Sequence, residues 1–288
     1  MLPGMGRKPR IAIVGAGNFG SALAVSLHQA GYAIETVVAH SRGASMKRAQ
    51  KLAGEVGSAA ALDCSAKMRA QVVWFTVPDV EIASAARNAG DKVNWKGKLA
   101  LHSSGARTSD ELDFLRRRGA AVASVHPLMT FVRGSRAGLA GVPFAVEGDP
   151  KAVGVARRIV KDVGGDFYVI RKRDKAAYHA WGTFASPLFD ALLVTTEQVA
   201  AAAGVHQKEA RRRVIPILLQ TLANYAALGA PAAFSGPFVR GDVDTVKRHL
   251  RVLRRVPQAR EVYIALAKAA LRYLPSKKRK ELAGLLER

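Results

Sequence analysis

Three groups of residues in this 288-residue chain have types and spacing suited to chemistry. The first is Gly15-Ala16-Gly17-Asn18-Phe19-Gly20, which follows the apolar run Ile11–Val14 and opens an apolar-periodic stretch through Leu23 and Leu27. Glycines spaced in this way between a strand and a helix suit the pyrophosphate of a dinucleotide. Gly15 would allow the tight turn, Gly17 the close approach of the phosphates, and Gly20 the packing of helix on sheet. The N–H groups at the helix start, with Asn18 and Phe19, would then face the phosphates. A glycine-rich turn without a ligand is the alternative.

The second group consists of loops that follow other apolar runs. Val77 and Pro78 end one such run, in a loop Phe75–Asp79 that should pass close to the dinucleotide, with Asp79 expected to cap the next helix and a catalytic acid as the alternative. His102-Ser103-Ser104-Gly105 is a small polar loop suited to the nicotinamide side, with Ser103 and Ser104 toward the cofactor and His102 toward a substrate. His126, in Ser124-Val125-His126-Pro127, either transfers a proton or shapes its turn through backbone hydrogen bonds. The third group is Lys175, Tyr178 and His179, whose spacing puts them on one helix face. That face supplies a proton donor, or it is an ordinary solvent face or a buried Tyr–His pair. Farther on, Arg240 in Ser235-Gly236-Pro237-Phe238-Val239-Arg240-Gly241-Asp242 is the candidate to hold an anionic substrate, and Asp242 the cap of the helix that follows.

The choice of dinucleotide rests on the end of the second strand. Glu35 lies at that strand's beginning, on the wrong side of the sheet, whereas the carboxyl end reads Ala39-His40-Ser41-Arg42. Ser41 and Arg42 therefore favour NADP over NAD, by holding the 2′-phosphate; a solvated loop arginine is the alternative.

These loops need a scaffold. Arg10–Val14, Ile34–Ala39, Gln71–Val77, Lys98–His102 and Ala120–Val125 read as strands, separated by helical stretches at Asn18–Ala30, Ala44–Gly54, Val80–Ala89 and Ser109–Arg118. Apolar strands alternating with helices predict βαβ units and a mostly parallel, doubly wound sheet. Val142–Glu147, a helix from Pro150 and Asp166–Ile170 form a further βαβ-like unit. Beyond Arg171 the pattern turns helical: Ala176–Ala203, Gln207–Leu228, Asp242–Leu253, Gln258–Leu274 and a short helix from Ser276, with Pro187 and Pro216 as kinks or first turns. The expected organisation is a Rossmann-like domain over 1–170 and an all-helical domain over 171–288.

Composition sets outer limits. The apolar fraction of 49% supports a sizeable core, and one cysteine, Cys64, excludes an internal disulfide and fits a reducing compartment. The uncharged run between Arg213 and Arg240 is long enough to span a bilayer by count, but Pro216, Gln220, Asn224, Gly229, Pro231, Gly236 and Pro237 break it. A soluble, cytoplasmic protein is expected. Lys and Arg number 45 against 22 Asp and Glu, a formal net charge of +23. Nucleic acid is set aside as a partner because aromatics are only 7% and no recognition motif is present. The seven histidines are scattered, so no metal site is expected. The helical part is the more basic one, with its clusters mostly at helix ends, where a solvated face explains them.

The motif order GAGNFG, FTVPD, LHSSGA, SVHPLMTF, YHAWGTFASPLF, SGPFVRGD and YIALAKAAL resembles a bacterial family that joins a Rossmann-like domain to a domain of unknown function 2520. The resemblance runs from Pro9 to about Leu274. Members are labelled NADP oxidoreductases by similarity to pyrroline-5-carboxylate reductase, β-hydroxyacid dehydrogenases and deazaflavin-dependent NADP reductases. The resemblance implies a helical domain like the C-terminal domain of 6-phosphogluconate dehydrogenase, a homodimer built through it, and an active site between the domains. It places His126, Tyr178, His179, Arg240 and Asp242 at motif positions. Lys175 could stand for the lysine of the β-hydroxyacid dehydrogenases, but Pro187 stands where those relatives carry an asparagine. The function expected is hydride transfer between NADP and a small C=O or C=N substrate. A non-catalytic NADP-binding sensor or structural dimer is the alternative.

Overall fold

The computed structural model describes residues 8–62, 68–133 and 138–287, so Cys64 lies outside the described residues. The chain divides into two compact units, Met1–Thr183 and Phe184–Arg288. The sheet unit thus continues past Ile170 into a helix that begins at Lys175, where Lys175 and Tyr178 are buried.

The first unit is built on one eight-stranded sheet in the order β3-β2-β1-β4-β5-β6-β7-β8. Its strands are β1 (Ile11–Val14), β2 (Ile34–Ala39), β3 (Ala59–Leu62), β4 (Val72–Phe75), β5 (Leu99–His102), β6 (Ala121–Pro127), β7 (Pro143–Gly148) and β8 (Asp166–Val169). Neighbours run parallel except β6 and β7. The helices of this unit are α1 (Asn18–Gln29), α2 (Ala44–Glu55), α3 (Ile82–Gly90), α4 (Asp113–Arg116), α5 (Pro150–Asp162) and α6 (Lys175–Ala185), the last ending just beyond it.

The continuous apolar runs are buried on both faces, as a helix-covered parallel sheet requires. Ile11 and Ile13 join Leu23 and Leu27 of α1 and Leu52 of α2 in one core. Ala12 and Val14, pointing the other way, join Ile82 and Ala86 of α3 with Trp95. Because β1 lies between β2 and β4, the chain winds outward to β3 and then crosses back. The crevice left at the carboxyl ends of β1 and β4 is where open α/β sheets take their ligands.

Two local expectations are corrected. β3 was not anticipated: it is a short edge strand containing three alanines, which have little strand preference. The stretch Ser109–Arg118 is not one helix but a 3-10 turn at Ser109–Leu112 followed by the single turn of α4. There Thr108 accepts a hydrogen bond from the N–H of Asp110 and tightens the start.

The second unit contains α7 (Pro187–Ala202), α8 (Gln207–Leu228), α9 (Ala230–Ala233), α10 (Pro237–Arg240), α11 (Val243–Val252), α12 (Pro257–Tyr273) and α13 (Arg279–Leu285). The helix expected over Ala176–Ala203 breaks at Ser186, and Pro187 opens α7, where its missing N–H leaves no bond unmade. Pro216 sits inside α8. Val246 and Leu250 of α11 pack with Ala267 and Leu271 of α12, Leu282 of α13 and Leu286. By contrast Ala210 is the one buried residue of α8, and Ile217, Leu219 and Leu222 are 65%, 62% and 54% exposed. Among the described residues no single helix is long and apolar enough to cross a membrane.

Candidate active site

The glycine turn leaves β1 and enters α1 with the three glycines in three different environments. Gly15 has a φ of +109°, and a Cβ there would lie 3.0 Å from the Thr76 carbonyl. Gly20 is pressed against the same turn: its Cβ would lie 2.2 Å from the carbonyl oxygen of Gly15 and 2.5 Å from Thr76 Oγ1. Gly17 faces open space with nothing within 4 Å, and as the N-cap of α1 it has no side chain to satisfy the helix's first N–H groups. A tight turn, a close packing point and an open helix start are what a pyrophosphate cradle needs.

Thr76, given no role of its own by the sequence, ties the turn to β4: its hydroxyl donates to the carbonyl of Gly15 at 2.7 Å. Asn18 and Phe19 are engaged by the loop after β6. Asn18 Nδ2 donates to the carbonyl of Phe131 at 2.9 Å, and the Phe19 and Phe131 rings lie 5.0 Å apart. Ser41 and Arg42 are exposed after β2. Glu35, at the opposite end of that strand, accepts from the N–H groups of Arg69 and Ala70 at 2.6 and 2.9 Å.

Beside the turn lies a cleft of about 170 Å³ lined by Phe19, Thr76, Val77, Asp79, Ser103, His126, Pro127, Met129 and Phe131. Pro78 is exposed ahead of Asp79. Asp79 is not the helix cap expected of it: Pro78 takes the N-cap position without a side-chain bond. Instead the Asp79 carboxylate accepts from the Ser104 hydroxyl at 2.6 Å. Ser103 accepts from the buried Trp74 indole N–H at 2.8 Å, which leaves its own O–H free to donate.

His102 is corrected from a substrate contact to a structural residue. It is fully buried, with Nε2 donating to the carbonyl of Thr108 at 2.9 Å and Nδ1 accepting from the N–H of Ser104 at 3.1 Å. Burial, aided by the Lys175 charge, pushes its pKa down to about 3 and keeps the ring neutral. The side chain of Ser104 is likewise buried, behind Asp79 rather than in the cleft.

Lys175 is 1% exposed, and its Nζ donates to the carbonyl of Ser104 at 2.8 Å and to the Ser124 hydroxyl. Burial lowers its pKa to about 8, while Glu147 and Asp79 pull it back up. Both bonds are internal, so Lys175 braces β5 and β6 and does not reach the cleft as a catalytic amine would. His126, half-buried, shares a 2.6 Å hydrogen bond with the Tyr178 hydroxyl through Nδ1. Burial, then the charges of Lys175 and His179, push His126 down to about 3. Burial raises Tyr178, whose ring also lies 6.4 Å from that of Tyr168. His179 is exposed, and the two imidazoles meet over Gly105, where a Cβ would lie 2.5 Å from His179 Cδ2 and 2.8 Å from His126 Nε2.

In the helical unit Arg240 is exposed at the end of α10. Gly241, at φ +71°, turns the chain against the backbone of Lys277. Asp242 caps α11, as its sequence suggests, by accepting from the N–H of Thr245 at 3.0 Å.

The places of Asp79 and Phe131 in the cleft were not legible in the sequence, for different reasons. An acidic residue after proline and before a helix carries the signal of a cap, while its hydroxyl partner is 25 residues away. Phe131 lies in a loop whose path no periodicity reveals.

Residues 5–127 match the family model of a Rossmann-like domain, and residues 142–270 match that of the domain of unknown function 2520. No curated protein matches the chain. Among solved structures, a "putative NADP oxidoreductase" from Bacteroides fragilis aligns over 91% of this chain and 97% of its own, with a TM-score of 0.75 and 18% identity. A protein from Thermotoga maritima aligns over 96% and 100%, with a TM-score of 0.72 and 23% identity. An imine reductase from Myxococcus stipitatus in complex with NADP+ aligns over 96% and 100%, with a TM-score of 0.63 and 16% identity. At such identities the likeness establishes the fold. The chain thus carries a Rossmann-like match followed by a match to the domain of unknown function 2520.

Proposed function

We propose that this protein is an NADP-dependent oxidoreductase acting on a small C=O or C=N substrate. The observation that carries the proposal is the open N-terminus of α1 at Gly17, framed by two glycines that tolerate no side chain. The NADP-bound imine reductase of the same fold adds support. Ser41 and Arg42, exposed after β2, are proposed to hold the 2′-phosphate, and Glu35, at the other strand end, is committed to backbone amides.

Bound NADPH would supply hydride. The chain's own residues align the acceptor: Val77 and Ser103 line the side of the cleft, and His126 presents a neutral ring oriented by Tyr178. His126 and the exposed His179 are the candidates for proton transfer, while Lys175 and Tyr178 act as positioning residues. Arg240 is proposed to hold a substrate carboxylate. The exposed apolar face of α8 is proposed to close a homodimer, because isolated chains rarely leave so many large aliphatic residues in water. A cytoplasmic location completes the proposal and fits a chain with a single cysteine.

Following NADPH consumption against a panel of small ketones, imines and keto acids tests the enzyme claim. Turnover of at least one class is expected. Tight NADPH binding with no turnover across the panel would favour the sensor reading, which the sealed position of Lys175 already recommends as the second choice.

A further inference from the structure

We infer that Asp79 selects a positively charged C=N group, a protonated imine or iminium ion, as the reacting group in the cleft. This rests on the dinucleotide reading above and narrows its substrate class. Among the described residues that line the cleft, Asp79 and His126 are the titratable ones. His126 shares its Nδ1 with Tyr178 and is held neutral by burial. Among the described lining residues, the acidic group left to face the cleft is therefore the Asp79 carboxylate.

That carboxylate is built into place. Its Oδ2 accepts from Ser104 at 2.6 Å, Ser104 Oγ accepts from the N–H of Arg107 at 2.9 Å, and the Ser104 carbonyl is held by Lys175 Nζ and by Ser124 Oγ. Among the described residues no hydrogen bond reaches Asp79 Oδ1. Lys175 is buried and its ammonium donates to the Ser104 carbonyl and the Ser124 hydroxyl, so its influence on Asp79 is through space and not by a hydrogen bond.

The chemistry distinguishes the two substrate classes. Reducing a C=O group builds negative charge on oxygen, which a neighbouring carboxylate opposes and which needs an acid to quench it. That acid would have to come from His126 or His179. A protonated C=N group starts one charge higher: the carboxylate favours its binding and protonation, and the step ends at a neutral amine instead of an alkoxide. Hydride from NADPH forms the new C–H bond, and the C=N π pair moves onto nitrogen and cancels its charge. The nitrogen already carries its proton, so the product is a neutral amine that takes a further proton from water. Asp79 would hold the cationic N–H before the step, and Ser103 Oγ offers a second oxygen in the same cleft. The cleft, about 170 Å³, has room for a small ring.

Equilibrium binding separates the inference from its parent. NADPH binding is measured first; then piperidinium and its neutral isostere tetrahydropyran are titrated calorimetrically into the NADPH-loaded protein, where neither can be reduced. Piperidinium is expected to bind at least about ten-fold tighter, the size of one charge-assisted hydrogen bond. Asp79→Asn should erase the difference while keeping NADPH affinity and melting temperature, and Asp79→Glu should restore part of it. Equal binding of the two rings by the wild-type protein overturns the inference. So does a preference that survives Asp79→Asn, or a variant that changes only the ratio of NADP+ to NADPH affinity, which would assign Asp79 to the cofactor ring. Failure of NADPH to bind defeats the dinucleotide reading instead, and the comparison of the two rings on the unloaded protein still decides the role of Asp79.

Discussion

Gly20 and Gly15 are in backbone contact across the first turn of α1: a Cβ on Gly20 would lie 2.2 Å from the carbonyl oxygen of Gly15. The carbonyl is itself fixed by the Thr76 hydroxyl at 2.7 Å, so it cannot retreat without breaking the link to β4. Gly17, between them, meets nothing within 4 Å. One motif therefore contains a packing glycine and a ligand-facing glycine, and substitution separates them.

Gly20→Ala is expected to destabilise the fold by about 1–3 kcal/mol, the usual cost of overpacking. Gly17→Ala is expected to melt within a degree or so of wild type yet bind NADPH at least about ten-fold more weakly, since its methyl group intrudes where the phosphates approach. Thermal melting beside a fluorescence titration reads both. Equal loss of stability in the two variants would contradict this division.

Lys175 should leave a signature in alkaline stability. Burial lowers its folded-state pKa from 10.5 to about 8. Between those values the unfolded chain holds a proton that the folded chain has released, so stability rises with pH across that window. Below about pH 8 both states are protonated and the folded state bears the full penalty. In Lys175→Met the rise from this group should vanish, seen as a flatter curve of melting temperature against pH between 8 and 10.5. Identical curves for the two proteins would show that Lys175 is not buried in the charged-to-neutral setting described.

The bond between His126 and Tyr178 can be tested without assuming catalysis. Tyr178→Phe removes the 2.6 Å contact to Nδ1 and should cost about 1 kcal/mol of stability. With turnover established, the same variant should lower kcat more than it raises KM, because it loosens the orientation of His126 rather than a substrate contact. His126→Ala, by contrast, should retain NADPH binding while losing most turnover.

The exposed face of α8 predicts self-association. Leu222→Glu, with Ile217→Glu as a second site, should convert a dimer to monomers in sedimentation at micromolar concentration, with the sheet unit still folded by circular dichroism. A wild-type chain that sediments as a monomer would remove the basis for this surface assignment.

What could be read in advance followed from local physics. The glycine turn was legible because strand, turn and helix are contiguous, and Asp242 because a cap and its helix lie within one turn. The rest depended on distant partners. His102 looked like a site residue until Thr108 and Ser104 were seen to occupy both nitrogens. Lys175 looked like an accessible amine on a helix face, yet its ammonium lies under Ser104 and Ser124, 71 and 51 residues away. The edge strand β3 was invisible because its alanines carry no strand preference, and β1 and β2 already define the face it joins.

The central claim is that this chain binds NADP in the crevice at β1 and β4 and prefers it to NAD. Dissociation constants for NADPH and NADH, measured on the full chain and on Arg42→Ala, test it most directly. NADPH is expected to bind at least about ten-fold tighter, from one charge-assisted contact to the 2′-phosphate, and Arg42→Ala to remove most of the preference. Equal or tighter binding of NADH, or no binding of either, would contradict it.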